Sequence, residues 1–432
     1  MIFIACRSGD VIQAFIGLWL VPKYVGVEEL GAVIPLQQLS SLFAVPIAIL
    51  SIVFSKFINT YATHKEFGKV KCFIRDALFA TALVFLICIA GAYLIIPHFY
   101  ERLRITSGTL TILILLAGFT ANISQLFTNA LQGLKRFNTL AVVNLISAPI
   151  RLLTLFIAMP FRALSGYILG QATPPATTSI VAAIAIHKQL QHTPVDSSWR
   201  HDIPTILHYL WPVATYTIFS TLFGTISATI YRQRLPEIES AAYYLMSRFA
   251  EIAGYVGLTM MVVLFPMASE AHEKGEENIS ALKRTITATG VISILLAVFF
   301  GAFGRNVFSL VDTWKVYLPY TNLLPWTTLI TGSGTVIGAI LSYEMACKRF
   351  AAPFFIIVFN FIITVILISF TGWEFYRGLI PDCLVDWMSR HNLADLKSLT
   401  WFNSISAILQ VTILQCFFIN TQQTKSKTTQ TP

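Results

Sequence analysis

The sequence predicts an all-α integral membrane protein, with about twelve transmembrane helices in two six-helix lobes around a central cavity. Three observations predict it: a shortage of charge, apolar runs of membrane-spanning length along the whole chain, and an internal repeat of about 210 residues. Of 432 residues, 55% are hydrophobic and only 12% are charged, and the mean hydropathy is +0.69. A soluble domain carries about twice that charged share, so lipid must serve as solvent for much of this surface. Runs of about 20 apolar residues cross a hydrocarbon core when helical. They do not alternate as barrel strands would, and in lipid a helix satisfies its own backbone groups.

In chain order the expected spans are 2–22, 30–55, 77–97, 108–132, 138–159, 163–187, 205–230, 240–266, 285–304, 317–345, 351–371 and 400–420. The first stretch lacks a basic head and a small-residue cleavage site, so it is read as a span and not as a cleaved signal. Residues 1–187 form the first lobe and 188–204, rich in His, Gln and Pro, the cytoplasmic linker. Residues 205–420 form the second lobe, and 421–432 a polar cytoplasmic tail. Loop lysines and arginines, among them Lys56, Lys135, Arg136, Lys348 and Arg349, concentrate on one side, which places both termini in the cytoplasm. These are read as topology and lipid-headgroup charges, with Arg232 and Arg234 in a loop on the far side. Trp19, Trp211, Trp314, Trp373 and Trp401 near span ends suit an aromatic belt.

The formal charge of +9 does not indicate nucleic acid, because the basic residues lie in short clusters between apolar runs. Six cysteines give no disulfide framework. No metal-ligand spacing, nucleophile triad or phosphate-cradling loop is present, so neither a cofactor nor nucleotide hydrolysis is expected.

The repeat is read from three pairings. Lys135-Arg136-Phe137 matches Lys348-Arg349-Phe350, and Ala62 to Gly68 matches Ala271 to Gly275. Val27 to Ala32 matches Pro236 to Ala242. All three are offset by roughly 207 to 213 residues. An even number of helices per unit sets both halves in the same direction, related by an axis along the membrane normal. Two such bundles predict an alternating-access transporter.

Several segments resemble polysaccharide (O-antigen type) flippases of the multidrug/oligosaccharidyl-lipid/polysaccharide exporter superfamily. Ala130-Leu131-Gln132-Gly133-Leu134-Lys135-Arg136-Phe137 is similar to the end of that family's fourth helix. Val25-Gly26-Val27-Glu28-Glu29-Leu30-Gly31 resembles its first external turn, with Val27 in place of the usual proline. Tyr243-Tyr244 through Leu264-Phe265-Pro266, then Ser269-Glu270-Ala271-His272 and Gly275, resembles its eighth helix and the loop after it. The likeness covers most of the first 350 residues. It implies flipping of undecaprenyl-diphosphate-linked oligosaccharide across a bacterial inner membrane for cell-surface polysaccharide, lipopolysaccharide included. Membrane lipids and polysaccharide polymerase machinery are the implied partners. Loop 372–399 is longer than the family suggests and has no assigned role.

Such a cargo needs a wet cavity with cationic donors, and arginine binds phosphate oxygens two at a time. Arg7, Arg151 and Arg248 lie within predicted spans, where a charge normally faces a cavity or a partner. Arg7 with Asp10, and Arg248 with Glu251, are i,i+3 pairs. Each pair either neutralises itself for packing or supplies a cargo contact, with Asp10 and Glu251 as candidates for ion coupling. Arg151 has two readings also, cargo contact or a structural bond, either to carbonyls near Pro149 or to a neighbouring helix. Asn122, Gln125 and Asn129 share one helical face and serve either as sugar contacts or as interhelical glue. Gln171 stands beside Pro174-Pro175, where carbonyls are freed.

The main alternative is a cation-coupled small-molecule (multidrug) exporter of the same superfamily, which favours a cavity dominated by carboxylates. A membrane polymerase or ligase would present a large external catalytic loop and require no repeat, so no enzyme is expected.

Overall fold

The computed structural model describes residues 18–95, 108–196, 198–274, 279–370 and 396–428. Within them every long element is a helix. A short α1 (Val21–Tyr24) is followed by α2 (Val27–Thr63), α3 (Phe67–Ile95), α4 (Gly108–Gly133), α5 (Phe137–Ala158) and α6 (Ala163–Leu190). The second set is α7 (Ile203–Arg234), α8 (Glu237–Glu273), α9 (Ile279–Ser309), α10 (Leu324–Ala346), α11 (Ala351–Phe370) and α12 (Leu396–Thr428). Each expected span from the second onward has its helix. Loop 372–399 falls largely outside the described residues, as do Arg7 and Asp10.

Among the described residues seven helices are long and apolar enough to cross a membrane, and α8 makes an eighth. The α8 segments Glu237–Tyr255 and Gly257–Glu273 are inclined at 45°. Shorter apolar stretches in α11 and α12 add two more. The chain is a multi-span integral membrane protein. Helices α2, α7, α8, α9 and α12 overrun their hydropathy spans at both ends, because a helix continues through the charges at which an apolar run stops. Lys56 and Arg232, expected in loops, therefore sit inside α2 and α7, each 1% exposed. That corrects the headgroup reading of Lys56. Trp314, expected in the aromatic belt, is also buried, and its indole N–H donates to the Leu18 carbonyl at 2.6 Å.

The duplication is visible in backbone geometry. Lys135 and Lys348 both adopt left-handed backbone, with φ of 56° and 55°. Each N–H bonds the carbonyl three residues back, and the next N–H bonds the carbonyl five back. This is the Schellman close of a helix, which usually recruits glycine. Lys65, with φ 63°, closes α2 in the same way.

Packing also repeats: α2 lies on α4 and α4 on α6, as α8 lies on α10 and α10 on α12. The two halves meet where α2 packs against α7 and α8. Buried apolar residues fall into two clusters that each span both halves. Between them α2 carries Gln37, Ser40 and Ser41, and α8 carries Glu251, Gly254, Tyr255 and Gly257. The stretch between the halves docks back on α3. Lys71 Nζ donates to the Thr193 carbonyl at 2.9 Å, Arg200 pairs with Asp76 at 3.1 Å, and Trp199 packs edge-on to Phe73. In that stretch the Ser198 backbone N–H, donating at 2.8 Å, holds the Asp196 carboxyl below its usual range.

Candidate functional site

A cavity of about 390 Å³ opens inside the first half, walled by α2, α4, α5 and α6. That lies within the range of ligand pockets, about 300–1,000 Å³. Its location follows from sequence. Gly118 lets α4 approach Ser40 of α2, where a Cβ would overlap the serine Oγ. Pro149 in α5 and Pro174-Pro175 in α6 interrupt the backbone ladders of the opposite wall. The lining is mixed: Leu36, Ala117, Ala121 and Ile168 supply apolar surface. Gln37, Ser40, Asn122, Asn144, Tyr167 and Gln171 supply donors and acceptors.

Arg151 is the single charged side chain among the described lining residues. It is 7% exposed and donates to the Gln171 side-chain oxygen. Of the structural partners expected for it, carbonyls near Pro149 or a neighbouring helix, Arg151 takes the neighbouring helix.

The other expected site residues do not converge. Asn122 lines the cavity, but its amide donates to the Gly118 carbonyl at 2.7 Å. Asn129 is buried and donates to the Ser51 carbonyl of α2 at 3.1 Å, which is the glue role. Gln125 is exposed and does not line the cavity. Shared spacing put these three on one side of α4, but that side meets three different surroundings.

Arg248 lies outside the cavity, between the halves. It pairs with Glu251 at 2.7 Å, as the i,i+3 spacing predicts, and its guanidinium sits 5.1 Å from the Tyr244 ring centre. Its second Nη donates at 2.6 Å to Oε1 of Gln37, on α2.

That bond belongs to a series. Ser240 Oγ donates to the Gly31 carbonyl at 3.1 Å, across 209 residues of sequence. Arg248 and Gln37 are separated by 211 residues. Lys56 Nζ donates to Ser269 Oγ at 2.8 Å, across 213. These separations lie close to the repeat offset, so each contact joins nearly equivalent levels of the two halves. The seam between α2 and α8 is thus bonded at both ends and in the middle.

Chemistry differs along the seam. At the Lys135 end, Lys56 also reaches Glu273 at 3.2 Å and the Ala346 carbonyl at 3.0 Å, while Lys135 pairs with Glu270. At the other end, small residues meet: a Cβ on Gly31 would lie 2.7 Å from Ser240 Oγ and 2.9 Å from Arg232 Nη1. Sequence reasoning missed Gln37, which both lines the cavity and bonds Arg248 across the seam. The repeat offset applied to Arg248 points to this part of α2.

Solved structures share this architecture. An inward-facing multidrug resistance MATE family transporter of the MOP superfamily matches with TM-score 0.62 and 14% identity, over 98% of this chain and 99% of that one. A MATE in complex with MaL6 matches at 0.67 and 14%, over 98% and 96%. The chain has the MATE transporter fold. A Vibrio cholerae MATE transporter, VcmN in the bent form, aligns at 0.59 and 13% over 95% of this chain and 94% of that one. No family model matches the sequence, and no curated protein matches it. The MATE fold accommodates the twelve helices and two lobes expected from the sequence.

Proposed function

We propose that this chain is a membrane transporter, not an enzyme, that works by alternating access and flips a lipid-linked oligosaccharide. The observation that carries the cargo class is the lining of the first-half cavity. Arg151 stands alone as a charge among hydroxyls and amides, with no carboxylate among the described lining residues. A guanidinium there favours an anionic group such as a diphosphate, since its fork matches two oxygens. The surrounding serines, asparagines and glutamines suit sugar hydroxyls. About 390 Å³ holds a short head; a longer glycan requires the seam to part. The apolar tail stays in lipid.

A second reading, cation-coupled export of small molecules, is favoured by the multidrug MATE transporters that share the fold. It calls for a carboxylate that a cationic drug and a driving ion compete for. Glu251, a third exposed beside Arg248, is the described candidate.

Proteoliposomes separate the two. Under the flippase reading, the reconstituted chain moves a polyprenyl-diphosphate-linked disaccharide between leaflets, and Arg151→Ala lowers this about a hundredfold while Arg151→Lys retains more. Ethidium efflux driven by a proton or sodium gradient, with no glycolipid movement, would install the exporter instead.

A further inference from the structure

Gln37 is where the wall of the cavity and the seam between the halves are one side chain. Its Oε1 accepts from Arg248 at 2.6 Å. Its Nε2 donates, at a long 3.4 Å, to the hydroxyl of Tyr167, which also lines the cavity. The two ends of one planar amide thus face different compartments, and they cannot move independently. Rotation that brings Nε2 to a new acceptor carries Oε1 off the guanidinium.

The choice of an amide has physical consequences. Arg248 is already neutralised by Glu251, so Gln37 adds a hydrogen bond without a further buried charge. An amide acceptor brings no opposite charge to the guanidinium, so this bond lacks the Coulomb attraction of an ion pair and is breakable. The bond to Tyr167 is near the limit for a hydrogen bond, and a phosphate or sugar oxygen in the cavity is a better acceptor.

From this geometry we infer that Gln37 is a positioning residue that couples occupancy of the first-half cavity to release of the seam. An oxygen-rich head arriving beside Arg151 draws Nε2 inward and turns Oε1 away from Arg248. The middle of the seam is then unlatched. Among the contacts that remain are the small-residue one at Gly31 and Ser240, the bond from Thr225 Oγ1 to the Gln38 carbonyl at 3.3 Å, and the ionic ones around Lys56 and Lys135. The inference rests on the reading that the cargo head sits in this cavity.

Spin-label distances in full-length, reconstituted protein test it. Label pairs on exposed positions report the two ends: Lys188→Cys with Lys283→Cys, and Arg162→Cys with Thr313→Cys, in a background without native cysteine. Gln37→Leu should broaden the resting distance distribution across the halves. It should also remove the response to a polyprenyl-diphosphate-linked disaccharide, while the probe still binds. Gln37→Glu, which gives Arg248 a second carboxylate, should narrow that distribution and slow transport about tenfold. Because the two variants move the same readout in opposite directions, a general loss of stability cannot imitate both. Resting and probe-bound distributions that match wild type in both variants would overturn the coupling and leave the transport reading intact. A wild-type protein blind to the probe, with Gln37→Leu still broadening the resting state, would discard the glycolipid and retain the latch.

Discussion

The described helices of the two halves repeat one packing order, and the halves differ where they touch. At one end Gly31 faces Ser240, in the middle Gln37 faces Arg248, and at the other end Lys56 faces Ser269. Each position is held by unlike residues, so every seam contact has a donor half and an acceptor half. The interiors differ as well. The first half keeps a polar cavity between α2, α4, α5 and α6. In the second half, glycines draw α8, α9 and α10 together: a Cβ on Gly257 would lie 2.5 Å from Thr289 Oγ1, and one on Gly332 would overlap Ser293 Oγ. The described contacts thus place a cavity in the first half and close helix packing around α8, α9 and α10 in the second.

The largest expected effect comes from Lys56, which has no basic counterpart in the second half. Its ammonium is 1% exposed and spans Ser269, Glu273 and the Ala346 carbonyl. Lys56→Ala leaves Glu273 with Lys348 alone and should cost about 3 kcal/mol, as removal of one partner from a buried pair does. Denaturation in detergent measures this, and an unchanged midpoint would make the seam symmetric in energy. Arg151→Ala comes next. It should lower glycolipid flipping about a hundredfold, or about 2.7 kcal/mol, with a smaller change in melting temperature.

A matched pair of substitutions tests cavity against close packing directly. Gly332→Val drives side chain into Ser293 and should destabilise by about 1–3 kcal/mol. Gly118→Val, on the cavity side of α4, should reduce transport more than stability, because Ser40 has space to yield. Equal losses of stability in both would erase the distinction between halves. The smallest effect is expected at the helix closes. Lys65→Gly relieves left-handed backbone at a position with no seam contact, and should stabilise by about 0.5–1 kcal/mol. Lys135→Gly relieves the same strain but loses Glu270 of the other half, so its gain in thermal denaturation should be smaller or absent.

The architecture was legible because lipid imposes a coarse rule: each apolar run of sufficient length becomes a helix. The repeat was legible because Lys-Arg-Phe marks a helix close whose backbone shape needs those positions aligned. Lys56 and Arg232 were misplaced for the same reason that spans were found, since hydropathy ends a span at the first charge whether or not the helix ends there. Arg248 with Glu251 was readable from i,i+3 spacing. Its bond to Gln37 was not, because local spacing carries no information across 211 residues. Only superposing the two halves brings those residues together. Likewise the spacing of Asn122, Gln125 and Asn129 fixed their common side of α4 but not the neighbours that side would meet.

Among the described helices, α6 is not one of those apolar enough to count as a span by hydropathy. Gln171, Pro174, Pro175 and a run of threonines and alanines dilute it, and several of these face the cavity. Its neighbour α5 does qualify and carries Arg151, which bonds Gln171 of α6. The polarity that hollows out the first half is thus shared between two consecutive helices, and entry into lipid as a hairpin would let each cover the other's polar group.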